Sequence, residues 1–304
     1  MKIWILIRIK LMRLPFVMAS VIPFLIGAGY VHHFNHFNIF NIFCALGLLC
    51  ATCSHIGANV FNDYFDSKSG NDWQDKREHI FFGGSKIIQN GLMREKEVFR
   101  FASFFIILAA LSVIALQVLI PGIPIILFGV LILFLAVSYS APPLKFAYTG
   151  WGELVIFILF GPASVLGAYT ILTGKYFGMK EILVSFPIAF LVTAILYANE
   201  VPDYNIDKNV NKKNLIVRTS PKIAWIGYIV LILGSAISLL ACIYVGSAPK
   251  QMLFILPLYL IYIKPLMVIK NEFGDIERLK IASKLTITGH TLIGLGLTLA
   301  YFCA

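Results

Sequence analysis

Two acidic segments contrast with an otherwise apolar sequence. The first, NDYFDSKSGND at 62–72, directly follows an apolar run from Ile39 to Phe61. The second, NEVPDYNID at 199–207, stands at the end of another apolar run. A carboxylate next to hydrocarbon costs several kcal/mol unless it is paired or binds a cation. We therefore expect both segments to serve a function.

The spacing within these segments favours polar stripes on helices. Asn199, Asp203 and Asp207 recur every four residues, which places them on one side of a helix. Asn62 and Asp66 repeat the same N-x-x-x-D step in the first segment. The recurrence suggests a distant internal duplication, which one sequence cannot establish.

The residue types in both segments suit a hard divalent cation. Asp72 follows Gly70, a residue that lets the chain turn back towards the helix. Mg²⁺ is usually bound by one or two carboxylates together with the oxygens of a phosphate substrate. Two facing segments could therefore hold a diphosphate through a pair of Mg²⁺ ions. The cations nearby that could complete the site are Lys76, Arg77, Lys86, Lys145 and Arg218.

Other charged residues have simpler interpretations. Any single Asp here could be a helix cap or a solvated charge, but two clusters of matching spacing are harder to explain in this way. Four acidic residues lack the spacing, and we interpret them as solvated loop charges: Asp75, Glu78, Glu95 and Glu97. Three lysines could serve only topology or lipid headgroups: Lys208, Lys212 and Lys213.

The elements that carry these segments are predicted to be transmembrane helices. Of 304 residues, 59% are hydrophobic and 13% are charged, about half the charged share of a soluble domain. The mean hydropathy of +0.84 agrees with an integral membrane protein. Nine apolar runs are about as long as a spanning helix, roughly 20 residues. Strands of a membrane β-barrel would be about half as long, so the run length excludes a barrel. The nine runs cover residues 14–31, 39–61, 98–120, 122–139, 152–173, 181–200, 223–245, 251–269 and 282–302.

The net charge of +10 is distributed as membrane topology requires, not as nucleic-acid binding would require. Most Lys and Arg residues fall before the first run or after even-numbered runs, and the opposite side has only Lys175, Lys180 and Lys250. The positive-inside rule then places the N-terminus and both acidic segments in the cytoplasm and the C-terminus outside. We expect a single domain over 1–304, with an uncleaved first span rather than a secretory signal.

The sequence resembles the UbiA superfamily of intramembrane prenyltransferases over nearly its whole length, starting with RLPFVMASVIPFLIGAGY at 13–30. The first acidic segment is similar to the N-D-x-x-D-x-x-x-G-x-D form of 1,4-dihydroxy-2-naphthoate prenyltransferases of menaquinone synthesis. The stretch YSAPPLKFAYTGWGELVIFILFGPASVLGAY at 139–169 is similar to the same branch. The resemblance implies an all-α fold of nine transmembrane helices around a central cavity with a cytoplasmic cap, in a prokaryotic plasma membrane.

The resemblance also implies roles for individual residues. One Mg²⁺ would be bound by Asn62, Asp66 and Asp72, and the other by Asn199, Asp203 and Asp207. Diphosphate contacts are implied for Lys145, with Arg13 and Lys86 as secondary helpers. Arg77 and Arg218 are further candidates for diphosphate binding from their positions beside the two segments. Tyr139 would line the cavity near the reacting carbon. The residues expected to be catalytic are Asp66, Asp203, Asp207, Lys145 and Tyr139. The partners would be a polyprenyl diphosphate, a small aromatic acceptor and membrane lipid.

One departure leaves the acceptor open. The naphthoate branch more often has N-N-x-R-D in its second segment, whereas this chain has Glu200, Val201 and Pro202 between Asn199 and Asp203. The Arg is missing, and Pro202 is expected to alter the helix end. The expected reaction prenylates 1,4-dihydroxy-2-naphthoate to demethylmenaquinol. Alternative acceptors are 4-hydroxybenzoate, a chlorophyllide, a haem or a glycerol phosphate lipid.

Two further alternatives change the class of reaction. A UbiA-type terpene cyclase would ionise the diphosphate and use an internal double bond as nucleophile. A cation transporter should carry its acids near the bilayer midplane, whereas these lie at helix ends. Tail length, oligomeric state and the carboxylate that acts as base stay open. Residues 72–90, with Gly83 and Gly84 as hinges, are our choice for a closing loop.

Overall fold

The computed structural model describes residues 2–77 and 82–304. These residues form helices joined by loops, and no β-strand occurs among them, which confirms the predicted all-α class. The helices are α1 Lys2–Met12, α2 Met18–Asn35, α3 Ile42–Ser69, α4 Asn71–Gln74, α5 Glu95–Leu119, α6 Ile125–Ser138, α7 Phe146–Thr149, α8 Gly152–Ile158, α9 Ser164–Thr173, α10 Met179–Asn209, α11 Leu215–Thr219, α12 Ala224–Tyr244, α13 Ile263–Asn271 and α14 Ile276–Cys303.

Most of the predicted runs become helices that can cross a membrane, so the chain is an integral membrane protein. Seven described segments are long and apolar enough: Ile42–Ser69, Glu95–Leu119, Gly152–Thr173, Met179–Asn209, Pro221–Tyr244, Lys250–Asn271 and Ile276–Cys303. An eighth would combine α1 and α2, which meet at an angle of 50°. Helix α6 has 14 residues, about 21 Å, less than the ~30 Å hydrocarbon core. Helix lengths therefore do not establish the predicted count of nine.

The N-terminal segment differs from the prediction. Residues before the first apolar run form helix α1, and the chain then bends before α2. Arg13 lies at this bend with φ of 50°, in the left-handed region. Because of this bend, α1 and α2 do not form one continuous helix. Arg13, at the bend, lines the central cavity.

Two spans contain irregular turns where the sequence carries Pro. Helices α8 and α9 are joined by a π-helical turn, Leu159–Ala163, which contains Pro162. The predicted run at 251–269 begins as a 3₁₀-helix, Lys250–Tyr262, with Pro257 inside it. Such turns accommodate a residue that cannot donate a backbone hydrogen bond.

Pro202 does not have the expected effect on the helix end. Helix α10 continues without interruption through Pro187 and Pro202 to Asn209, nine residues beyond the predicted end of that run. The prediction that Pro202 alters the end of the span was wrong. Because the helix continues, the whole second acidic segment is helical, and its four-residue spacing has structural meaning.

Small residues let the helices around the cavity approach closely. Gly27 of α2 lies against α9, where an added Cβ would collide with the carbonyl oxygen of Val165 and lie 2.8 Å from the Cβ of Ala168. Gly161 similarly faces Ala189 of α10. Close backbone approach replaces the hydrophobic driving force that membrane helices lack among themselves.

We expect Gly27→Val to destabilise the protein by about 1–3 kcal/mol, since the new side chain overpacks the α2–α9 interface. Thermal unfolding in detergent should show a lower midpoint. Gly167→Ala in α9 is the matched control, because no heavy atom lies within 4 Å of its added Cβ. Equal midpoints for the two variants would contradict close packing at Gly27.

Candidate active site

A cavity of about 510 Å³ lies between α2, α3, α5, α6, α8, α9 and α10. Its deeper wall is apolar and includes Phe24, Leu116, Ile132 and Ile171. At one end, where α3 and α10 finish, the wall consists of carboxylate and amide side chains. The cavity therefore has a polar mouth and an apolar interior, and the acids lie at helix ends as predicted.

The first acidic segment forms the last turns of α3 and continues into α4. Asn62 and Asp66 both line the cavity, one helical turn apart, and the Asn62 amide donates to Asp66 Oδ2 at 3.3 Å. Asn62 also donates to Ser140 Oγ at 2.9 Å. Tyr148, which the sequence analysis did not identify, donates its hydroxyl proton to Asp66 Oδ1 at 2.6 Å. The only signal in the sequence that could have identified Tyr148 is its position three residues after Lys145.

Asp72 reaches the cavity because the chain turns at Gly70, as predicted. Gly70 has φ of 83°, ends α3 and starts the short helix α4. Lys86 Nζ lies 3.3 Å from Asp72 Oδ1, while Asp72 Oδ2 is buried and has no partner among the described residues. Burial and the charges of Asp63 and Asp66 raise the pKa of Asp72 to about 7, against the opposing charge of Lys86.

The second segment forms the predicted stripe on α10. Asn199, Asp203 and Asp207 all line the cavity. Asn199 Oδ1 is buried and accepts no hydrogen bond from a described residue. Asp207 Oδ2 accepts from the amide of Asn214 at 2.8 Å. The stripe thus presents several oxygen atoms towards the first segment.

The two segments contact each other directly. Asn71, inside the first segment but missed as a site residue, donates its amide proton to Asp207 Oδ1 at 2.8 Å. Lys212 Nζ lies between the segments, 3.5 Å from Asp66 Oδ2 and 3.6 Å from Asp207 Oδ1. The interpretation of Lys212 as serving only topology or lipid headgroups was therefore wrong.

The charge of Lys212 depends on these carboxylates. Burial alone would lower the pKa of the Lys212 ammonium, but Asp207 and Asp66 hold that pKa well above its usual value. The ammonium also lies 5.4 Å from the centre of the Tyr148 ring. Lys212 is therefore a fixed positive charge between the two acidic segments.

Asp75 is part of the site, which corrects its interpretation as a solvated charge. It is 5% exposed and receives hydrogen bonds from Arg77 Nε at 2.7 Å and from the Arg77 backbone at 3.0 Å. Burial would raise the pKa of Asp75, but these bonds and the charge of Lys86 outweigh it, so the pKa is lowered. Glu78, which had the same interpretation, lies outside the described residues.

Arg77 brings a guanidinium to Pro202, the position where the naphthoate branch more often has Arg. Its Nη2 pairs with Asp203 Oδ1, and its Nη1 donates to the Pro202 carbonyl at 2.8 Å. Glu200, at the departure from the family pattern, lines the cavity and lies beside Glu153. Glu153 Oε1 accepts the backbone N–H of Leu215 at 2.8 Å.

The described part of the 72–90 segment covers the carboxylates. Gly83 has φ of 68°, and its N–H donates to Asp203 Oδ2 at 3.3 Å. An added Cβ on Gly84 would overlap the carboxylate of Asp72. Only glycines therefore allow this backbone to lie against both acidic segments. Residues 78–81 of the predicted closing loop lie outside the described residues.

Of the remaining predicted site residues, two line the cavity and two do not. Tyr139 and Arg13 line the cavity, and Arg13 Nη1 lies 4.0 Å from Asp63 Oδ1. Lys145 does not line the cavity; its ammonium lies 5.3 Å from the centre of the Tyr148 ring. Arg218 is exposed, and its guanidinium donates to backbone carbonyls of Thr149 and Lys213, at 2.6 and 3.0 Å. The structure does not bring Arg218 to the clusters.

The donor set fits a hard divalent cation. Carboxylate and amide oxygens are the ligands that Mg²⁺ prefers. Five such oxygens are buried without a hydrogen-bond partner in the described chain: Asp63 Oδ1, Asp72 Oδ2, Glu153 Oε2, Asn199 Oδ1 and Glu200 Oε2. Over the same residues, no three His, Cys, Asp or Glu side chains converge into a ready-made ligand set. The carboxylates are instead paired with cationic side chains, which a metal would have to displace.

We expect Lys212→Gln to bind Mn²⁺, a probe for Mg²⁺, more tightly than wild type in the absence of diphosphate. The ammonium competes for oxygens of Asp66 and Asp207, and losing one such contact should lower Kd by about tenfold. Electron paramagnetic resonance titration measures free Mn²⁺ directly. Lys208→Gln is the control, because its ammonium lies beside the Tyr204 ring, 5.6 Å from the ring centre. Weaker Mn²⁺ binding by Lys212→Gln would exclude competition.

Sequence comparison identifies relatives of known activity. The UbiA prenyltransferase family matches residues 20–280. The 1,4-dihydroxy-2-naphthoate octaprenyltransferase of Bacillus subtilis is 31% identical over 262 residues, covering 81% of this chain and 78% of that protein. The protein of the same name from Escherichia coli is 27% identical over 231 residues, covering 74% and 71% respectively.

Structural comparison identifies the same fold. A UbiA homolog from Archaeoglobus fulgidus matches with a TM-score of 0.66 at 18% identity, covering 96% of this chain and 97% of that one. A structure from the same organism, bound to DMAPP and Mg²⁺, gives 0.62 at 17% identity, covering 96% and 98%. With the family match extending over most of its length, the chain belongs to the UbiA prenyltransferase family.

Proposed function

We propose that this protein transfers a polyprenyl group from an allylic polyprenyl diphosphate to 1,4-dihydroxy-2-naphthoate, giving demethylmenaquinol. The observation that carries the proposal is the meeting of two acidic segments at the mouth of one apolar cavity, joined by the Asn71–Asp207 hydrogen bond. The naphthoate prenyltransferases among the sequence relatives support the choice of an aromatic acceptor.

The acidic segments would hold the diphosphate through metal ions. Asn62, Asp66 and Asp72 would bind one Mg²⁺, and Asn199, Asp203 and Asp207 would bind the other. When bound, the ions would neutralise the charge that develops on the departing diphosphate. The A. fulgidus homolog bound to DMAPP and Mg²⁺ supports a divalent cation in this fold.

The cationic side chains would move from carboxylate to phosphate oxygens. Lys212, Arg77 and Lys86 now neutralise Asp66, Asp203 and Asp72, one cation to each. Once metal occupies those oxygens, the same ammonium and guanidinium groups can donate to the diphosphate. Lys145 approaches the first segment only through the Tyr148 ring, which bonds Asp66. Arg218 instead donates to backbone carbonyls outside both segments.

The apolar interior would hold the isoprenoid chain and exclude water. Burial of hydrocarbon favours the long tail by roughly 25 cal/mol per Å². An allylic cation formed at the mouth must meet its acceptor before water does. Tyr139 lines the cavity there, and its ring face can stabilise that cation.

The acceptor would enter beside the diphosphate carbon. Its electron-rich ring forms a bond to that carbon while the carbon–oxygen bond to diphosphate breaks. Carbon dioxide then leaves from the carboxylated ring position. A carboxylate of the second segment, Asp203 or Asp207, would accept a proton from a ring hydroxyl, since both line the cavity.

The proposal includes the orientation of the protein in the membrane. We place the cavity mouth and the N-terminus in the cytoplasm and the C-terminus outside, in a prokaryotic plasma membrane, with residues 1–304 as one domain. The excess of Lys and Arg beside the acidic segments supports this orientation. The diphosphate group of one substrate and the water-soluble naphthoate would then both reach the site from the cytoplasm.

A different acceptor within the family is the second candidate. The observation that favours it is Glu200, whose carboxyl lines the cavity where the naphthoate branch more often has Asn. A carboxyl there presents a different hydrogen-bonding group to the acceptor than an amide would. This alternative changes the acceptor and leaves the diphosphate site unchanged.

Product mass spectrometry tests the reaction. Purified protein in detergent is incubated with Mg²⁺, a polyprenyl diphosphate and a panel of acceptors. We expect a prenylated, decarboxylated naphthoquinol, which Asp66→Ala and Asp203→Ala should reduce by at least about 10²-fold because the metal loses ligands. Glu277→Gln, an exposed acid on α14, should retain wild-type activity.

The other products decide between the alternatives. Prenylation of a different acceptor would select the second candidate, and a cyclic hydrocarbon with released diphosphate would indicate a cyclase. A diphosphate that stays intact in all conditions would contradict the assignment of both acidic segments. Chelation by EDTA should abolish the wild-type reaction, and added Mg²⁺ should restore it.

Substitutions of Lys212 and of Lys145 should affect diphosphate binding to different extents. We expect Lys212→Met to raise the KM for the diphosphate by about tenfold or more, because a buried charged contact is lost. Lys145→Met should have a smaller effect, since Lys145 lies outside the cavity lining. The reverse order would restore the role that the sequence assigned to Lys145.

A further inference from the structure

A polar band interrupts the apolar part of the cavity. His55 and Asn59 lie on α3 at the spacing that continues the stripe of Asn62 and Asp66, so all four face the cavity. At 1.5 Å per residue, Asn59 is about 10 Å and His55 about 16 Å from Asp66 along the helix. The band is therefore distinct from the carboxylates at the mouth. Its two side chains are about 6 Å apart along the helix, so one bicyclic aromatic molecule can contact both.

The His55 ring has a defined hydrogen-bonding pattern. Ser20 donates its hydroxyl proton to the Val17 carbonyl at 2.8 Å, so its oxygen accepts from His55 Nδ1–H at 3.0 Å. In the neutral ring, Nε2 is then a hydrogen-bond acceptor. No described residue bonds Nε2, and Phe160 packs edge-on to the ring at 4.9 Å. The structure therefore leaves one free acceptor in the band.

Asn59 provides a free donor one turn away. Its Nδ2 is buried and has no hydrogen-bond partner among the described residues. A buried amide without a partner costs about 1–3 kcal/mol, which a polar ligand would recover. A ligand that pairs with both Asn59 and His55 must offer an acceptor to the first and a donor to the second.

A positive charge lies close enough to the band to act on His55, and it belongs to Arg13. Of the described residues that line the cavity, only Arg13 and Lys212 carry a positive charge. Lys212 lies between the carboxylates of Asp66 and Asp207. The Arg13 guanidinium makes only a 4.0 Å ion pair with Asp63 and a contact with the Phe16 ring, 4.9 Å from its centre, within the described chain. Arg13 thus retains hydrogen-bonding capacity for a second carboxylate.

We propose that Arg13, Asn59 and His55 form the acceptor subsite and recognise an aromatic ring bearing a carboxylate next to a hydroxyl. Arg13 and Asn59 donate hydrogen bonds to the carboxylate, and His55 Nε2 accepts a hydrogen bond from the hydroxyl. This proposal rests on the proposed function, deepens it, and reassigns Arg13 from diphosphate to acceptor. It explains why a membrane cavity built for an isoprenoid keeps a polar band.

Equilibrium binding of three fluorescent naphthalenes tests the subsite without metal or diphosphate. The probes are 1-hydroxy-2-naphthoate, 2-naphthoate and 1-naphthol, titrated into purified protein in detergent, with empty micelles as blank. We expect wild type to bind 1-hydroxy-2-naphthoate at least tenfold more tightly than either single-group probe. Equal affinity for the three probes would overturn the proposal.

Variants separate the two halves of the subsite. Asn59→Leu and Arg13→Gln should weaken both carboxylates by tenfold or more and leave 1-naphthol unchanged. His55→Leu should weaken the two hydroxyl-bearing probes and leave 2-naphthoate unchanged. Ser54→Ala is the matched control on the same helix, because its hydroxyl is already bonded to the Cys50 carbonyl at 2.7 Å.

Other outcomes are equally decisive. If Arg13→Gln raises the KM for the diphosphate and leaves carboxylate binding intact, Arg13 belongs to the diphosphate site and the proposal fails for it. A uniform loss for all three probes in Asn59→Leu, with an unchanged unfolding midpoint, would show a packing role instead. If His55→Leu does not fold, Asn59→Leu and Asn59→Ala still decide the carboxylate half.

Failure of the subsite and failure of the proposed function give different results. Prenylated naphthoquinol together with variant-independent probe binding would retain the function and reject the subsite. Selective binding that depends on Asn59 and His55, without any transfer to the naphthoate, would retain the subsite and reject that reaction.

Discussion

Negative charge at the C-terminal ends of two membrane helices is the constraint to which the rest of the site responds. The last carbonyls of a helix already carry a partial negative charge, so acids there are opposed by the helix dipole. Helices α3 and α10 nevertheless carry Asp66 and Asp207 in their last turns, and both side chains are buried. Such carboxylates require cations, because a buried charge without a partner is strongly unfavourable. Lys212, Arg77 and Lys86 supply them from the surrounding loops.

The loops around the mouth therefore fold onto the acids instead of extending into water. Asn71 joins the first segment to the second, and Gly83 donates its N–H to Asp203. The same contacts make the mouth responsive to a ligand, since a divalent cation can replace the cationic side chains at the carboxylates. The released ammonium and guanidinium groups then face the phosphate oxygens of the proposed substrate. Charge neutralisation and substrate binding are two uses of one set of residues.

Polarity changes in steps along the cavity, and each step suits one part of the proposed reaction. Carboxylates at the mouth suit a metal-bound diphosphate, and the band around Asn59 and His55 suits a hydroxylated aromatic acid. The apolar interior suits hydrocarbon and excludes water. The close contact of α2 with α9 at Gly27 keeps this wall tight. A long apolar chain and a small polar ring can thus meet in one cavity that stays inside the membrane.

The sequence by itself determined the all-α membrane class, the family resemblance and the polar stripe of α10. These depend on local properties, since hydropathy and a four-residue period describe single helices. Only the tertiary structure decided that Lys212 lies between the segments whereas Lys145 lies outside the cavity lining. It also decided that Asp75 is buried and that Arg77 reaches Asp203. Partners across loops depend on where packed helices place distant residues, and no spacing along one segment encodes that.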